Sequence, residues 1–289
     1  MSGDAFRKLV AGPEIVVAPG CYDALTALMI EEAGFPAAYL SGGSIAYTHF
    51  ARPDIGLVSM SEVAEILGRI RERVALPLAV DVDTGFGNAL NVQRTVRVFA
   101  ARGASALQLE DQTMPKRCGH LAEKRLVSKA EMVGKVKAAL DATGGDGPLV
   151  IARTDAIAVE GFEAALDRAE AYLDAGAEML FIEAPRSEAE LAGIARRFRG
   201  RVPLMANMVE GGATPITGAK QLEELGFSFV IFPGGTVRAI ARLLADYLAS
   251  LKTHGTTAPF RDRMLDFKEI NALIGTPEML AKGKAYEGE

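Results

Sequence analysis

A single TIM-type (β/α)8 barrel is the fold this sequence predicts, and three observations predict it. Short β-branched or apolar runs alternate eight times with longer amphipathic ones. The 289 residues are many for an ordinary domain but normal for one such barrel. With 49% apolar and 24% charged residues, the chain holds enough material for one large core, and no low-complexity tract interrupts the series.

In chain order, the predicted strands are residues 15–18, 37–41, 78–81, 106–110, 150–153, 179–183, 204–207 and 229–232. The stretches between them have helical period. In residues 161–175, for example, Phe162, Ala165, Leu166, Ala169 and Leu173 share one face. Strands separated by helices pair in parallel through right-handed crossovers, and eight of them close a barrel. Gly144-Gly145-Asp146-Gly147-Pro148 falls just before a strand and reads as a loop, not a domain linker. After the eighth strand the sequence predicts a helix over 237–251, a loop through His254-Gly255, an amphipathic piece over 261–273 and a polar tail containing Pro277. Residues 1–289 thus form one barrel domain with 255–289 as a C-terminal helical extension. That surplus caps the barrel or packs on a neighbouring subunit.

The net charge of −5 comes from interspersed acids and bases, with no basic face for nucleic acid. Two cysteines, Cys21 and Cys118, make no disulfide framework and fit a reducing compartment. Arg7-Lys8 precede a short apolar stretch broken by Pro13 and Pro19, which is not a signal-peptide pattern, and no apolar run reaches membrane-spanning length. The expectation is a soluble cytoplasmic protein.

Barrel active sites form at the C-terminal strand ends. Those ends carry Ser41, Asp81 with Asp83, Glu110 with Asp111, Arg153, Glu183 and Asn207, a bias toward chargeable groups that buried strands do not ordinarily show. Asp81 and Asp83 point to one side of an extended segment. With Glu110 from the next strand they offer three hard oxygen donors, a set suited to Mg²⁺ or Mn²⁺ bound largely through water. The competing reading has these acids cap a helix or pair with Arg153. Arg153 is either a bidentate carboxylate clamp or a structural partner of Glu183 or Asp155. Asn207 supplies an amide for a carboxylate or simply forms a turn. Gly85-Phe86-Gly87-Asn88 lacks the third glycine of a dinucleotide fingerprint, and its preceding aspartates would repel a pyrophosphate. Pro233-Gly234-Gly235-Thr236 stands where barrels often bind phosphate, but a tight turn explains it as well.

Cys118 lies in Lys116-Arg117-Cys118-Gly119-His120, a run that begins six residues after Glu110 of the acidic pair Glu110-Asp111. A thiol between two cations and an imidazole is placed to act as an acid or a nucleophile. Lone cysteines are more often inert buried residues, yet the following Gly119 and the charged neighbours favour an exposed loop. His49 and His254 lack comparable context and read as structural.

These segments resemble the isocitrate lyase and phosphoenolpyruvate mutase superfamily from about Ala18 to beyond Arg238. The resemblance is carried by Tyr39-Leu40-Ser41-Gly42-Gly43, Pro53-Asp54-Ile55-Gly56, residues 81–87, Glu110-Asp111-Gln112, the Cys118 loop, residues 152–155, Glu183-Ala184-Pro185 and residues 207–215. The Lys-Arg-Cys-Gly-His loop is that of the carbon–carbon lyase branch. The resemblance implies a Mg²⁺-dependent retro-aldol cleavage of a 2-hydroxy di- or tricarboxylate to pyruvate and a second carboxylate. It implies that Asp81, Asp83 and Glu110 organise the metal with Asp54 in support. Ser41, Gly42, Gly43 and Arg153 hold the oxo-acid half, with Gly119 and Arg238 also on the substrate. Cys118 protonates the departing enediolate, His120, Glu183 and Asn207 line that side, and Tyr39 takes part in deprotonating the hydroxyl. Lys116 and Arg117 acquire a second task, neutralising the dianionic fragment. A homotetramer with a C-terminal helix swapped between subunits follows from the same resemblance.

Within the branch, Phe267 stands where methylisocitrate-cleaving members place an arginine, and Glu210-Gly211-Gly212 looks more like the members that cleave alkylated malates. Pro233 replaces the serine typical of oxaloacetate-hydrolysing members. The alternatives are oxaloacetate hydrolysis or decarboxylation, phosphonate chemistry, and a silent barrel that binds dicarboxylates.

Overall fold

The computed structural model describes residues 3–215 and 217–287; Met1, Ser2, Ile216, Gly288 and Glu289 lie outside the described residues. The chain divides into two units, Met1–Val237 and Arg238–Glu289.

In the first unit, strands β1 (Val16–Cys21), β2 (Ala38–Leu40), β3 (Leu78–Asp81), β4 (Ala106–Glu110), β5 (Leu149–Thr154), β6 (Met179–Ile182), β7 (Leu204–Asn207) and β8 (Phe229–Phe232) form a closed barrel in sequence order. Every neighbouring pair is parallel, and β1 closes on β8 through Val16↔Phe229 to Pro19↔Phe232. Helix α1 (Gly3–Val10) precedes the barrel. The crossovers carry α2 (Ala24–Glu32), α3 (Gly42–Phe50), α4 (Met60–Arg71), α5 (Ala89–Ala101), α6 (Lys129–Thr143), α7 (Phe162–Asp174), α8 (Glu188–Phe198) and α9 (Ala219–Leu225). Side-chain caps start many of them: Asp23, Ser59 and Asn88 each close a capping box, satisfying N–H groups that the first turn leaves unpaired.

The expected strands are present with small shifts. β1 runs past Pro19 to Cys21, where the sequence suggested a stop, because a proline forfeits only its own N–H and the pairing resumes as Gly20↔Tyr39 and Cys21↔Leu40. Gly20 has no room for a Cβ, which would collide with the Pro233 carbonyl.

Helix α1, unforeseen in the sequence, fixes which end of the barrel stays open. Its Phe6 and Val10 join Val16, Leu149, Met179, Phe181 and Phe229 in one buried cluster. The Phe6 ring meets Phe229 edge-on at 5.3 Å, and Arg7 grips Glu178 at 2.6 Å. Burying Phe6 contributes about 1.5–3 kcal/mol. The plug sits at the N-terminal ends of the strands, so chemistry is left to the opposite rim.

The remaining helices are α10 (Gly235–His254), α11 (Phe267–Leu273) and α12 (Thr276–Tyr286). Taken alone, the second unit has Phe260 as its one buried side chain among the described residues. The Tyr247 ring packs edge-on against it at 5.5 Å, and the Arg263 guanidinium lies 4.5 Å above it. The helix expected within 261–273 is α11: a 3-10 turn ends at Arg263, and Asp266 caps the helix by accepting from Glu269 N. The helical extension continues in α12, where Pro277 stands in the first turn and no amide hydrogen is missed.

Candidate active site

The rim of the first unit gathers the acids, the arginine and the thiol loop. Asp81 ends β3 and Glu110 ends β4, both buried. Asp83 follows with a left-handed φ of 47° and donates its amide to Asp81 Oδ1 at 3.1 Å. Lys116 Nζ stands 2.7 Å from Asp54 Oδ1 and 2.8 Å from Asp83 Oδ1. Burial pushes the Asp83 carboxyl up to about 6 against the pull of Lys116. It drives Glu110 well above the carboxylate range against the pull of Arg153. Neither Glu110 oxygen accepts a hydrogen bond, and a buried carboxylate without a donor is costly unless a cation serves it. Glu110, with no hydrogen-bond donor on either oxygen, and Asp83, whose Oδ1 has the Lys116 ion pair, lie beside Asp81 as hard oxygen ligands suited to a divalent cation. Among the described residues no three His, Cys, Asp or Glu side chains are grouped closely enough to hold an ion by themselves. Gly42 keeps this corner open: a Cβ there would lie 3.2 Å from Asp81 Oδ2.

Tyr39 donates its hydroxyl to Gln108 Oε1 at 2.6 Å, and Gln108 Nε2 donates to Asp81 Oδ1 at 3.2 Å. Burial, and then the Asp81 charge, raise the phenol well above its ordinary range, so it keeps its proton. Gln108 escaped the sequence reading. Its position two residues before Glu110 on one strand, hence on the same inward face, is the signal that could have found it.

Ser41 caps α3 by accepting from Ser44 N, which leaves the amides of the first turn, including those of Gly42 and Gly43, at the rim. A Cβ on Gly43 would come within 3.2 Å of Asp54 Oδ2.

On the other side, Arg153 donates Nε and an Nη to Asp155 at 2.8 and 3.1 Å. It also lies 3.3 Å from Glu110 Oε2 and 3.7 Å from Glu183 Oε1. The structural ion pairs weighed from the sequence are thus present, and one guanidinium serves three acids. Asn207 Nδ2 donates to both Glu183 oxygens at 3.1 and 3.3 Å, while its buried Oδ1 has no partner. His120 Nδ1 accepts from Ala213 N at 3.1 Å, so the ring proton belongs on Nε2, 3.5 Å from Glu183 Oε1. Burial holds this imidazole below its usual range, hence neutral at neutral pH.

Cys118 is half-buried, and its amide donates to the Asp54 carbonyl at 3.0 Å. The two flanking cations do not serve it as expected. Lys116 is spent on Asp54 and Asp83, and Arg117 turns outward to Glu123 at 2.8 Å. Burial instead pushes the thiol up from its ordinary value. Iodoacetamide labelling of Cys118 is therefore expected to be slow at pH 7 and to rise about tenfold per pH unit to beyond pH 9. Mass spectrometry of labelled peptides checks this; rapid labelling at pH 7 would mean a stabilised thiolate.

Other candidates fall elsewhere. The Pro233 to Thr236 segment is a packed turn, its Pro233 carbonyl accepting from Ser44 Oγ and its Thr236 hydroxyl donating to Gly20 O. His49 Nε2 faces the Tyr22 carbonyl at 3.2 Å, a structural contact. Arg238 opens the second unit, on α10, and is exposed.

A family model described as phosphoenolpyruvate phosphomutase matches residues 6–252. The 2,3-dimethylmalate lyase of Eubacterium barkeri is 43% identical, covering 93% of this chain and 92% of its own. The 2-methylisocitrate lyase of Aeropyrum pernix is 45% identical, covering 94% and 87%. A crystal structure of 2,3-dimethylmalate lyase superposes with a TM-score of 0.92 at 32% identity over 99% of this chain and 95% of that one. A phosphonopyruvate hydrolase complex with oxalate and Mg²⁺ gives 0.87 at 32% identity over 96% of each. The closed barrel, the acids on its rim and these likenesses agree, and the chain belongs to the phosphoenolpyruvate phosphomutase family.

Proposed function

We propose that this chain is a Mg²⁺-dependent carbon–carbon lyase that cleaves a 2-hydroxy di- or tricarboxylate by retro-aldol chemistry into pyruvate and a second carboxylic acid. The observation that carries the reading is a protonated, half-buried Cys118 thiol on a loop whose next residue, Gly119, lies against Glu183 and Arg153. A catalyst that must deliver a proton to carbon needs such a thiol; a nucleophile needs its thiolate. The relatives that act on 2,3-dimethylmalate and 2-methylisocitrate, at 43% and 45% identity, support both as substrate types.

Asp81, Asp83 and Glu110 would hold the cation, with Asp54 behind them through Lys116. When bound, Mg²⁺ supplies polarisation of the oxygen that becomes the carbonyl. The amides of Gly42 and Gly43, the Ser41 turn and Arg153 hold the oxo-acid half. A base takes the hydroxyl proton and releases it to solvent, the O–H electron pair becomes the C=O bond, and the carbon–carbon pair passes to the other fragment as an enediolate. Cys118 gives that carbon its proton, and the resulting thiolate is reprotonated from solvent. His120, Glu183 and Asn207 line this side, with Gly119 also on the substrate. Tyr39 takes part in hydroxyl deprotonation by orienting Gln108 and Asp81, since its own phenol is held protonated.

The second unit, with one buried side chain among its described residues and with Leu244, Leu248, Leu280 and Met279 exposed, suits assembly of copies into the expected homotetramer. No described helix is long and apolar enough to cross a membrane, and two free thiols suit a cytoplasmic setting.

Pyruvate release across 2-alkylmalates and 2-methylisocitrate, with oxalate release from oxaloacetate and phosphate release from phosphonopyruvate as controls, tests the reading. Turnover of an alkylmalate or 2-methylisocitrate is expected. Turnover of a control alone would reassign the reaction to hydrolysis.

A further inference from the structure

The loop from Thr113 to Arg125 carries Cys118, yet almost nothing apolar holds it down. Met114 is 54% and Leu121 46% exposed, and a cavity of about 480 Å³ lined by Gln112, Thr113, Met114, Arg117, Glu123 and Lys124 lies beneath its stems. Its buried side chains are two lysines, Lys116 and Lys124. Lys116 is committed to Asp54 and Asp83. Lys124 does something else. Its Nζ donates to the Gly119 carbonyl and, at 2.9 Å, to Asp155 Oδ1.

One ammonium thus joins the peptide beside Cys118 to the carboxylate that orients Arg153. Asp155 is a fixed point. Its amide donates to Asp111 Oδ1 at 2.9 Å, and Asp111 Oδ2 is held by Thr154 Oγ1 at 2.7 Å and the Tyr172 hydroxyl at 2.8 Å. Gly119 has no slack either, because a Cβ there would strike the Glu183 carboxylate and the Arg153 guanidinium. A buried ammonium between a fixed carboxylate and a loop carbonyl is a directional tether, and its loss leaves both acceptors short of a donor.

We propose that Lys124 is a positioning residue that sets the Cys118 loop against Arg153 by tethering the Gly119 carbonyl to Asp155. Its kinetic consequence rests on the reading of Cys118 as the proton donor. Its structural consequence does not.

The test is Lys124→Met, with the milder Lys124→Gln beside it, in the full chain. Iodoacetamide labelling at pH 9 reads the loop through Cys118 and the barrel through Cys21, which is fully buried with its thiol pushed up to about 12. Cys118 labelling is expected to rise by about tenfold with Cys21 still protected, the mark of local release. With the 2-hydroxy acid that the protein turns over, kcat should fall by about 100-fold, the scale of a misplaced catalytic group. KM should stay within about threefold, since the oxo-acid contacts remain. Unchanged Cys118 labelling in both variants would overturn the tether. So would parallel labelling of both thiols in both variants, which would make Lys124 a structural lysine. Faster Cys118 labelling with kcat intact would keep the tether and overturn the acid role of Cys118 instead.

Discussion

Cys118→Ala is expected to lower the rate of carbon–carbon cleavage by about 10²–10⁴-fold, the range supplied by a positioned general acid. Pyruvate affinity should change by less than about twofold, because the groups proposed to hold the oxo acid, Gly42, Gly43 and Arg153, do not depend on the thiol. The argument turns on where the cations go. Lys116 faces Asp54 and Asp83, and Arg117 faces Glu123, so neither stabilises a thiolate. Burial then dominates and the thiol keeps its proton. Cys118→Ser tests the same point from the other side. It preserves the O–H but raises the acid pKa, so it should recover only a small part of the lost rate. Pyruvate release under saturating substrate, with calorimetry of pyruvate binding, checks both. Turnover unchanged in Cys118→Ala would move the protonation to another group.

Much of this site was legible because barrel architecture converts strand endings into a list of rim residues. Asp81, Glu110 and Asn207 are the last residues of their strands, and Arg153 is one from the end of its own. What the sequence left hidden are contacts set by folding rather than by spacing. Gln108 links Tyr39 to Asp81 across two strands, a pairing fixed by barrel register and not by any motif. Lys124 looks like one more charge in a polar loop until burial shows it reaching Asp155. The flanking cations of Cys118 mislead for the converse reason. Residues adjacent in a loop need not point the same way, and here the ammonium turns inward while the guanidinium turns to solvent. Helix α1 was hidden in an N-terminal stretch too short for a convincing period, though its Phe6 closes the barrel floor.

Arg153→Met is expected to destabilise the fold by about 3–5 kcal/mol at pH 7, the scale for stripping one partner from a buried ion pair. The guanidinium makes a cation–π contact with Phe181, 5.1 Å from its ring centre, which methionine replaces by a sulfur–aromatic one, so the loss is mostly one of charge. Left behind are Glu110, Asp155 and Glu183, all buried. Their protonation gives the prediction a sign in pH. Burial alone would raise Asp155, but Arg153 and then Lys124 overcome it and hold the carboxyl down at about 2. A carboxyl depressed by folding adds stability that is complete above its unfolded value of about 4 and is lost as pH falls through its folded value. In Arg153→Met most of that contribution disappears, so wild type and variant should differ most near neutrality. The gap should narrow as the medium is acidified through pH 4 toward pH 2, where the carboxyls of both proteins take up protons. Urea midpoints at pH 7 and at the lowest pH where the wild type stays folded measure the gap directly. A deficit of equal size at both would place the loss in packing and refute the charge argument. The same variant should also bind pyruvate more weakly by at least about tenfold, since a charge-assisted hydrogen bond contributes about 1.5–3 kcal/mol. Pyruvate affinity retained in a folded Arg153→Met protein would confine the arginine to its structural role and leave the oxo-acid carboxylate to the amides at the start of α3.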